Sequence, residues 1–351
     1  MPQAVPVKVF NTGFVSDFVQ YRQSCPGQSC PGKVRGRRSC GERAGAALVV
    51  LCALVAILAG CLPGVIGAAQ AQENASQEAG RRRAALDRLP EDAAQRLFGL
   101  TASPAPAPGR AIGSYTRGCL AGGVALPPDG ANWQVMRPSR NRAWGHPALI
   151  EFIQRLAVTA HGAGWPGLLV GDIAQPRGGP MLTGHASHQL GIEADLWLTP
   201  MPDRRLSAAE RDDMPATNLV AANGDDVDPA AWRSQHRKLL EAAARSPGVA
   251  RIFVNAAIKR ALCREAAGER DREWLRRIRP SWGHNFHFHV RLYCPRGESE
   301  CQNQPDPGPG DGCAELAWWF TDEAKHPKPG PPRKPLRVAD LPPACAALVS
   351  R

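Results

Sequence analysis

The 351-residue chain contains no C-x-x-C pair, so a cysteine-built structural zinc site has no support in the sequence. No internal repeat is visible, and this excludes a solenoid or propeller. Basic residues do not interleave with aromatics in any repeat, and aromatics reach only 6% of the chain. The usual signature of a nucleic-acid interface is therefore missing. A formal net charge of +11 does not restore it. The first 71 residues carry seven Lys/Arg against two acids, leaving 36 bases and 30 acids for the rest. So modest an excess predicts no nucleic-acid partner. Histidine is scarce too, with nine in all.

Three of those nine lie in one stretch, "SWGHNFHFHVRLYC", Ser281 to Cys294: His284, His287 and His289. Burying an unpaired imidazole is costly, so a plain core strand does not account for them. "HFHVRLY" alternates. In an extended strand His287, His289 and Arg291 share one face, and Phe288, Val290 and Leu292 share the other. Two imidazoles about 6–7 Å apart on a strand can grip a metal, or one can grip it while the other moves protons. "GHASHQLGIEADLWL" supplies further ligands. His188 and Asp195 stand seven apart, and Gly191 lets the chain turn between them. Glu193, Asp195 and Trp197 share a strand face opposite Ile192, Ala194, Leu196 and Leu198. Mixed nitrogen and oxygen ligands suit Zn²⁺, and three protein ligands leave a fourth position for water.

The run "AGAALVVLCALVAILAG", Ala44 to Gly60, is apolar and follows the basic stretch "KVRGRRSCGER". That order predicts export. Three modes stay open: signal cleavage after "AQA" (Ala69–Ala71), lipidation of Cys61 in "LAGC", or an uncleaved anchor. Residues 1–33 precede the basic region and read as a gene-start artefact, with translation beginning near Val34. Six cysteines follow Cys61, and an even number in an exported chain predicts three disulfides. Cys294 and Cys301 are close enough to close a short loop.

Three regions are expected: 1–71 as extension and export segment, 72–110 as a helical stretch running into a Pro/Ala linker, and 111–351 as the folded domain. Apolar spacing predicts helices in "HPALIEFIQRLAVTAHGAG", "PAAWRSQHRKLLEAAARS", "AAIKRALCREA", "DREWLRRIR" and "AELAWWF". Strands are expected in "GLLVGD", "IEADLWL", "RIFVN" and "HFHVRLY". The class is α+β.

"GHASHQLGIEAD" with "HFHVRLYCP" resembles the penicillin-insensitive murein endopeptidases, within the wider group of lysostaphin-type and D-Ala-D-Ala metallopeptidases and the hedgehog domain. The similarity continues through "IGSYTRGCLAGG", "GHPALIEFIQRL", "RIFVNAAIK" and "DREWLRRIRP", over roughly 110–350. The residues between the histidines of "HNFHFH" depart from relatives, which bears on subsites and leaves the ligand positions intact. The resemblance implies a central, mostly antiparallel sheet carrying a zinc site, flanked by helices and disulfide-tied loops. His188, Asp195 and His289 are then the zinc ligands, His287 the base or proton carrier, and His284 and His185 further site histidines, with His284 helping to stabilise the oxyanion. The implied disulfides are Cys119–Cys345, Cys263–Cys313 and Cys294–Cys301. The implied partner is peptidoglycan in the periplasm, cleaved at D-alanyl–meso-diaminopimelyl cross-links. A D,D- or L,D-carboxypeptidase, or a zinc-dependent binding domain without catalysis, are the competing readings.

Plainer roles are expected elsewhere. His146 before Pro147 reads as a helix start. His161, His236 and His326 read as surface residues, and Glu193 as part of a solvated face. Asp172 either holds a site histidine or caps a turn, and the structural role is preferred. Trp282, Trp318 and Trp319 read as packing residues, and the Pro-rich tail after His326 as a covering loop.

Overall fold

The computed structural model describes residues 73, 76–328 and 334–350. The expected export segment of 1–71, with Cys61, lies outside the described residues. Among the described residues, no helix is long and apolar enough to cross a membrane.

Helices α1 (76–87) and α2 (Ala94–Gly99) come first, then the antiparallel strands β1 (Arg110–Ser114) and β2 (Arg117–Ala121). Next are β3 (Val124–Ala125), β4 (Asp129–Gly130), β5 (Trp133–Val135) and β6 (Trp144–Gly145). The chain continues as α3 (Pro147–Gly162), β7 (Leu168–Val170), β8 (Glu193–Trp197), α4 (Ala208–Asp213) and α5 (Ser234–Arg245). It then forms β9 (Val249–Val254), α6 (Ala256–Glu265), α7 (Trp274–Arg277), β10 (Ile278–Pro280), β11 (His287–Leu292) and β12 (Cys301–Gln302). A 3-10 turn at Ala314–Phe320, α8 (Asp322–Lys325) and α9 (Pro343–Val349) follow. Helix and sheet are thus mixed, as expected for α+β.

Seven strands form the main sheet in the order β10-β9-β11-β8-β7-β5-β4. The pairings within β9-β11-β8-β7 are antiparallel. Alternation sorts the side chains. Ile192, Ala194, Leu196 and Leu198 from the β8 segment, and Phe288, Val290 and Leu292 from β11, join one apolar core. Helices α3, α5 and α6 contribute to the same core. In α3 the buried residues Leu149, Ile150, Ile153, Leu156 and Ala157 recur at helical spacing, and each fully buried Leu or Ile contributes about 1.5–3 kcal/mol. The helix starts where His146 Nδ1 accepts a hydrogen bond from Ala148 N at 3.1 Å, with Pro147 at the first position. His146 is therefore the helix start that the sequence suggests.

Two readings need correction here. His236 is buried, not on the surface. As the third residue of α5 its Nδ1 accepts from Arg233 N at 2.9 Å, and its Nε2 donates to Leu198 O at 3.0 Å. Capping its own helix turns the ring inward between Trp165 and Trp232. "DREWLRRIR" is α-helical only at Trp274–Arg277. Arg279 precedes Pro280, whose ring disfavours helical geometry in the residue before it. The chain instead extends as β10 and pairs in parallel with β9. His161 and His326 are exposed as expected.

The three disulfides are Cys119–Cys345, Cys263–Cys313 and Cys294–Cys301. They tie β2 to α9, α6 to the segment before the 3-10 turn, and the end of β11 to β12. Residues 76–110 also pack: Phe98 is buried with Ile112, Cys119, Ala121, Leu341 and Cys345. Because stabilisation grows with the loop closed, replacing both Cys119 and Cys345 with Ser should cost about 5 kcal/mol, and replacing Cys294 and Cys301 about 2.5 kcal/mol. The two bonds span 226 and 7 residues respectively. Urea unfolding of the two double variants checks the order; equal losses would contradict it.

Candidate metal centre

The register of β11 on β8 builds the site. His289 lies directly opposite Asp195, and Arg291 directly opposite Glu193. All four point away from the apolar core, as strand alternation dictates. His188 enters from the loop before β8. Gly191 holds φ +67, and a Cβ there would meet Leu120 Cδ2 at 2.6 Å and His146 N at 2.9 Å. His188 itself adopts φ 64, which is costly for a side-chain-bearing residue. Its backbone N–H donates to Glu193 Oε2 at 2.7 Å, and its ring Nδ1 donates to Ile173 O at 2.6 Å. These bonds fix a strained residue in one orientation.

The free ends of three side chains then meet. His188 Nε2 lies 3.0 Å from His289 Nδ1 and 3.3 Å from Asp195 Oδ1, and His289 Nδ1 lies 3.3 Å from the same oxygen. Hydrogen-bond partners assign the tautomers. A carbonyl can only accept, so His188 Nδ1 carries a proton toward Ile173 O. His289 Nε2 is 2.7 Å from Glu193 Oε1 and donates to that carboxylate. In the neutral imidazoles, both facing nitrogens are therefore bare lone pairs. Asp195 Oδ1 is buried and forms no well-aligned hydrogen bond. With both rings neutral, three acceptors converge with no donor between them, an arrangement that a shared proton or a cation relieves. The ligand edge of a tetrahedral zinc site with bonds of about 2.0–2.1 Å is about 3.3–3.4 Å. The triangle of 3.0, 3.3 and 3.3 Å fits it.

His185, His188 and Asp195 also hold ligand atoms within 4.8 Å of one another and could bind a metal. His185 Nε2, however, lies 3.0 Å from Asp172 Oδ2 and 3.5 Å from Asp195 Oδ2. Its hydrogen bond goes to Asp172, so His188, His289 and Asp195 form the tighter set. Asp172 is thus the holder of a site histidine, and the preferred turn-capping reading is corrected. Its Oδ2 also accepts from Arg142 at 2.8 Å and Arg140 at 3.2 Å. Burial opposes ionisation of Asp172, but His185 and Arg142 hold its carboxyl far below the usual range. Glu193 also needs correction. It is completely buried, not solvated, because the loop carrying His188 covers that sheet face. The seven-residue spacing could have suggested this, since a loop returning to place His188 beside Asp195 must cross Glu193.

His287 and His284 flank the triangle. His287 Nε2 is 3.6 Å from Asp195 Oδ1, and the rings of His284 and His287 are 4.9 Å apart. Burial pushes His287 down to about 4 against the pull of Asp195. Burial, then His287 and His289, pushes His284 down to about 3. Both rings are therefore neutral near pH 7. His284 Nδ1 donates to Trp282 O at 2.8 Å, leaving its Nε2 an acceptor. Trp282 packs with Trp318 and Trp319, at ring distances of 5.8 and 4.8 Å.

Residues 111–350 match the family of penicillin-insensitive murein endopeptidases. The chain belongs to this family. A penicillin-insensitive murein endopeptidase of Haemophilus influenzae is 50% identical over 220 residues, covering 62% of this chain and 74% of its own. One from Yersinia enterocolitica is 45% identical over 241 residues, covering 68% and 85%. One from Klebsiella pneumoniae strain 342 is 44% identical over 243 residues, covering 68% and 86%. The atoms of His188, Asp195 and His289 are the ones that meet within 3.3 Å.

Burial opposes a charge on His188, but Asp195, then Glu193, raise it to about 9 from 6.5. In metal-free protein, a proton there stands in for the cation. Its stabilising contribution is complete below pH 6.5 and is lost as pH rises through about 9. The urea midpoint of metal-free protein should therefore fall between pH 7 and pH 9.5. Zinc-loaded protein has no proton at that nitrogen to lose and should show a flatter profile. Parallel curves for the two forms would refute this.

Proposed function

We propose that the protein is a zinc-dependent murein endopeptidase that hydrolyses D-alanyl–meso-diaminopimelyl amide cross-links of peptidoglycan in the periplasm. The single observation that carries the metal dependence is the triangle of His188 Nε2, His289 Nδ1 and Asp195 Oδ1, three buried acceptors at 3.0–3.3 Å. Membership of the murein endopeptidase family supports the substrate class. Export of the chain, by cleaved signal or through lipidation of Cys61, belongs to the same reading.

Zinc, when bound by His188, Asp195 and His289, supplies Lewis acidity and makes a water acidic enough to attack at neutral pH. The rest falls to the side chains. His185 bonds Asp172 and stands 3.5 Å from the outer oxygen of Asp195, while Oδ1 of Asp195 is directed at the triangle. His287 is neutral and buried at the rim, so it accepts the proton of the attacking water as the amide carbon becomes tetrahedral. The imidazolium formed faces Asp195, whose charge stabilises it. It then returns the proton to the leaving amine nitrogen as the C–N bond breaks. Neutral His284 presents an acceptor at Nε2, not a donor. That arrangement suits proton handling with His287 better than direct stabilisation of an oxyanion.

His287→Ala should retain zinc and lose about 10²–10⁴-fold in hydrolysis. Mass spectrometry of purified cross-linked muropeptide dimers, with metal content measured in parallel, checks both halves. Wild-type zinc protein that leaves the dimers intact would favour a binding domain. Release of terminal D-Ala from monomeric stems would favour a carboxypeptidase.

A further inference from the structure

Beside the centre, against Glu193, lies a buried arginine that the hydrolytic steps do not use. Arg291 is directly opposite Glu193 in the β8–β11 register. Its Nε and one terminal nitrogen both lie 2.8 Å from Glu193 Oε1. That is the oxygen to which His289 Nε2 donates at 2.7 Å. Glu193 is fully buried and Arg291 nearly so. A buried carboxylate this close to a metal-facing imidazole can rotate or recruit a proton unless it is held. Arg291 holds it by a two-nitrogen contact that a flexible ammonium cannot reproduce.

The guanidinium is itself held on every other side. Its carbon stands 4.2 Å from the Tyr115 ring centroid and 5.0 Å from that of Phe253. The Tyr115 hydroxyl donates to Leu292 O at 2.7 Å, anchoring that ring to the strand carrying His289. The remaining nitrogen of Arg291 donates to Gln304 Oε1. Gln304 follows the loop closed by Cys294–Cys301, and Asn303 Oδ1 accepts from Cys294 N at 2.8 Å. A chain of contacts thus runs from the disulfide loop through Arg291 and Glu193 to His289.

We propose that Arg291 is a positioning residue for the His188/Asp195/His289 centre, acting through Glu193 to keep His289 Nδ1 bare and aimed at the metal. The inference rests on the metal-centre reading above. Zinc affinity, measured by chelator competition on the full protein, is the readout, and activity is not needed. Arg291→Met and Glu193→Gln should each weaken zinc binding by about 10–100-fold. Arg291→Lys keeps the charge and loses the fork, so it should fall between Arg291→Met and wild type. Because both residues act on one imidazole, the double variant Glu193→Gln/Arg291→Met should bind no more weakly than the worse single variant. Nitrogen NMR of His289 should show a proton fixed on Nε2 in wild type and a mixed tautomer in Arg291→Met. Where Arg291→Met fails to fold, Arg291→Lys carries the test. Folded Arg291 variants with wild-type zinc affinity, or losses that multiply in the double variant, would overturn the proposal. Absence of zinc binding by wild-type protein would instead remove the metal-centre reading itself.

Discussion

Everything at the site depends on one electrostatic conflict. Two imidazole nitrogens and one carboxylate oxygen face each other within 3.3 Å, and with both rings neutral none of them offers a proton to the others. Without a proton or a cation between them, such an arrangement is repulsive. It persists because backbone and side-chain partners behind each group leave it no other orientation: Ile173 O behind His188, Glu193 behind His289, His185 on the far oxygen of Asp195. A proton on His188, or a cation, relieves the repulsion. The surrounding bonds hold the three atoms in place, so little further ordering would accompany cation binding.

The fold supplies this by dividing labour between the faces of a sheet. One face of β8 and β11 carries aliphatic side chains into a core shared with α3, α5 and α6. A one-residue slip of β11 would move all those side chains to the wrong face. The hydrophobic core therefore sets the register, and the register places His289 opposite Asp195. Packing on one side of the sheet thus determines chemistry on the other. The disulfides hold the long segments that carry no strand of the main sheet, including the loop whose neighbours Asn303 and Gln304 reach back to β11.

The site histidines differ in chemistry because they differ in neighbours. His188 lies against Asp195 and Glu193 and favours a positive charge, whereas His287 and His284 are buried among other imidazoles and stay neutral. The same residue type can therefore favour a charge at one position and stay neutral a few ångströms away. No property of histidine itself separates the two roles.

Residue order alone determined the strand faces, the helix start at His146 and the histidine-rich motifs, since each is a local pattern of period two, period 3.6 or spacing. His188, Asp195, the His287/His289 pair and the α+β mixture were also legible there, while the choice of His289 over His287 came from the family resemblance. Glu193, His236 and Asp172 were not, because burial is decided by what another segment lays over a residue. The loop before β8 covers Glu193, the first turn of α5 folds His236 inward, and His185 arrives from thirteen residues away to claim Asp172. Alternation identifies the side of a strand, and only the tertiary structure decides whether that side meets water, a carboxylate or another imidazole.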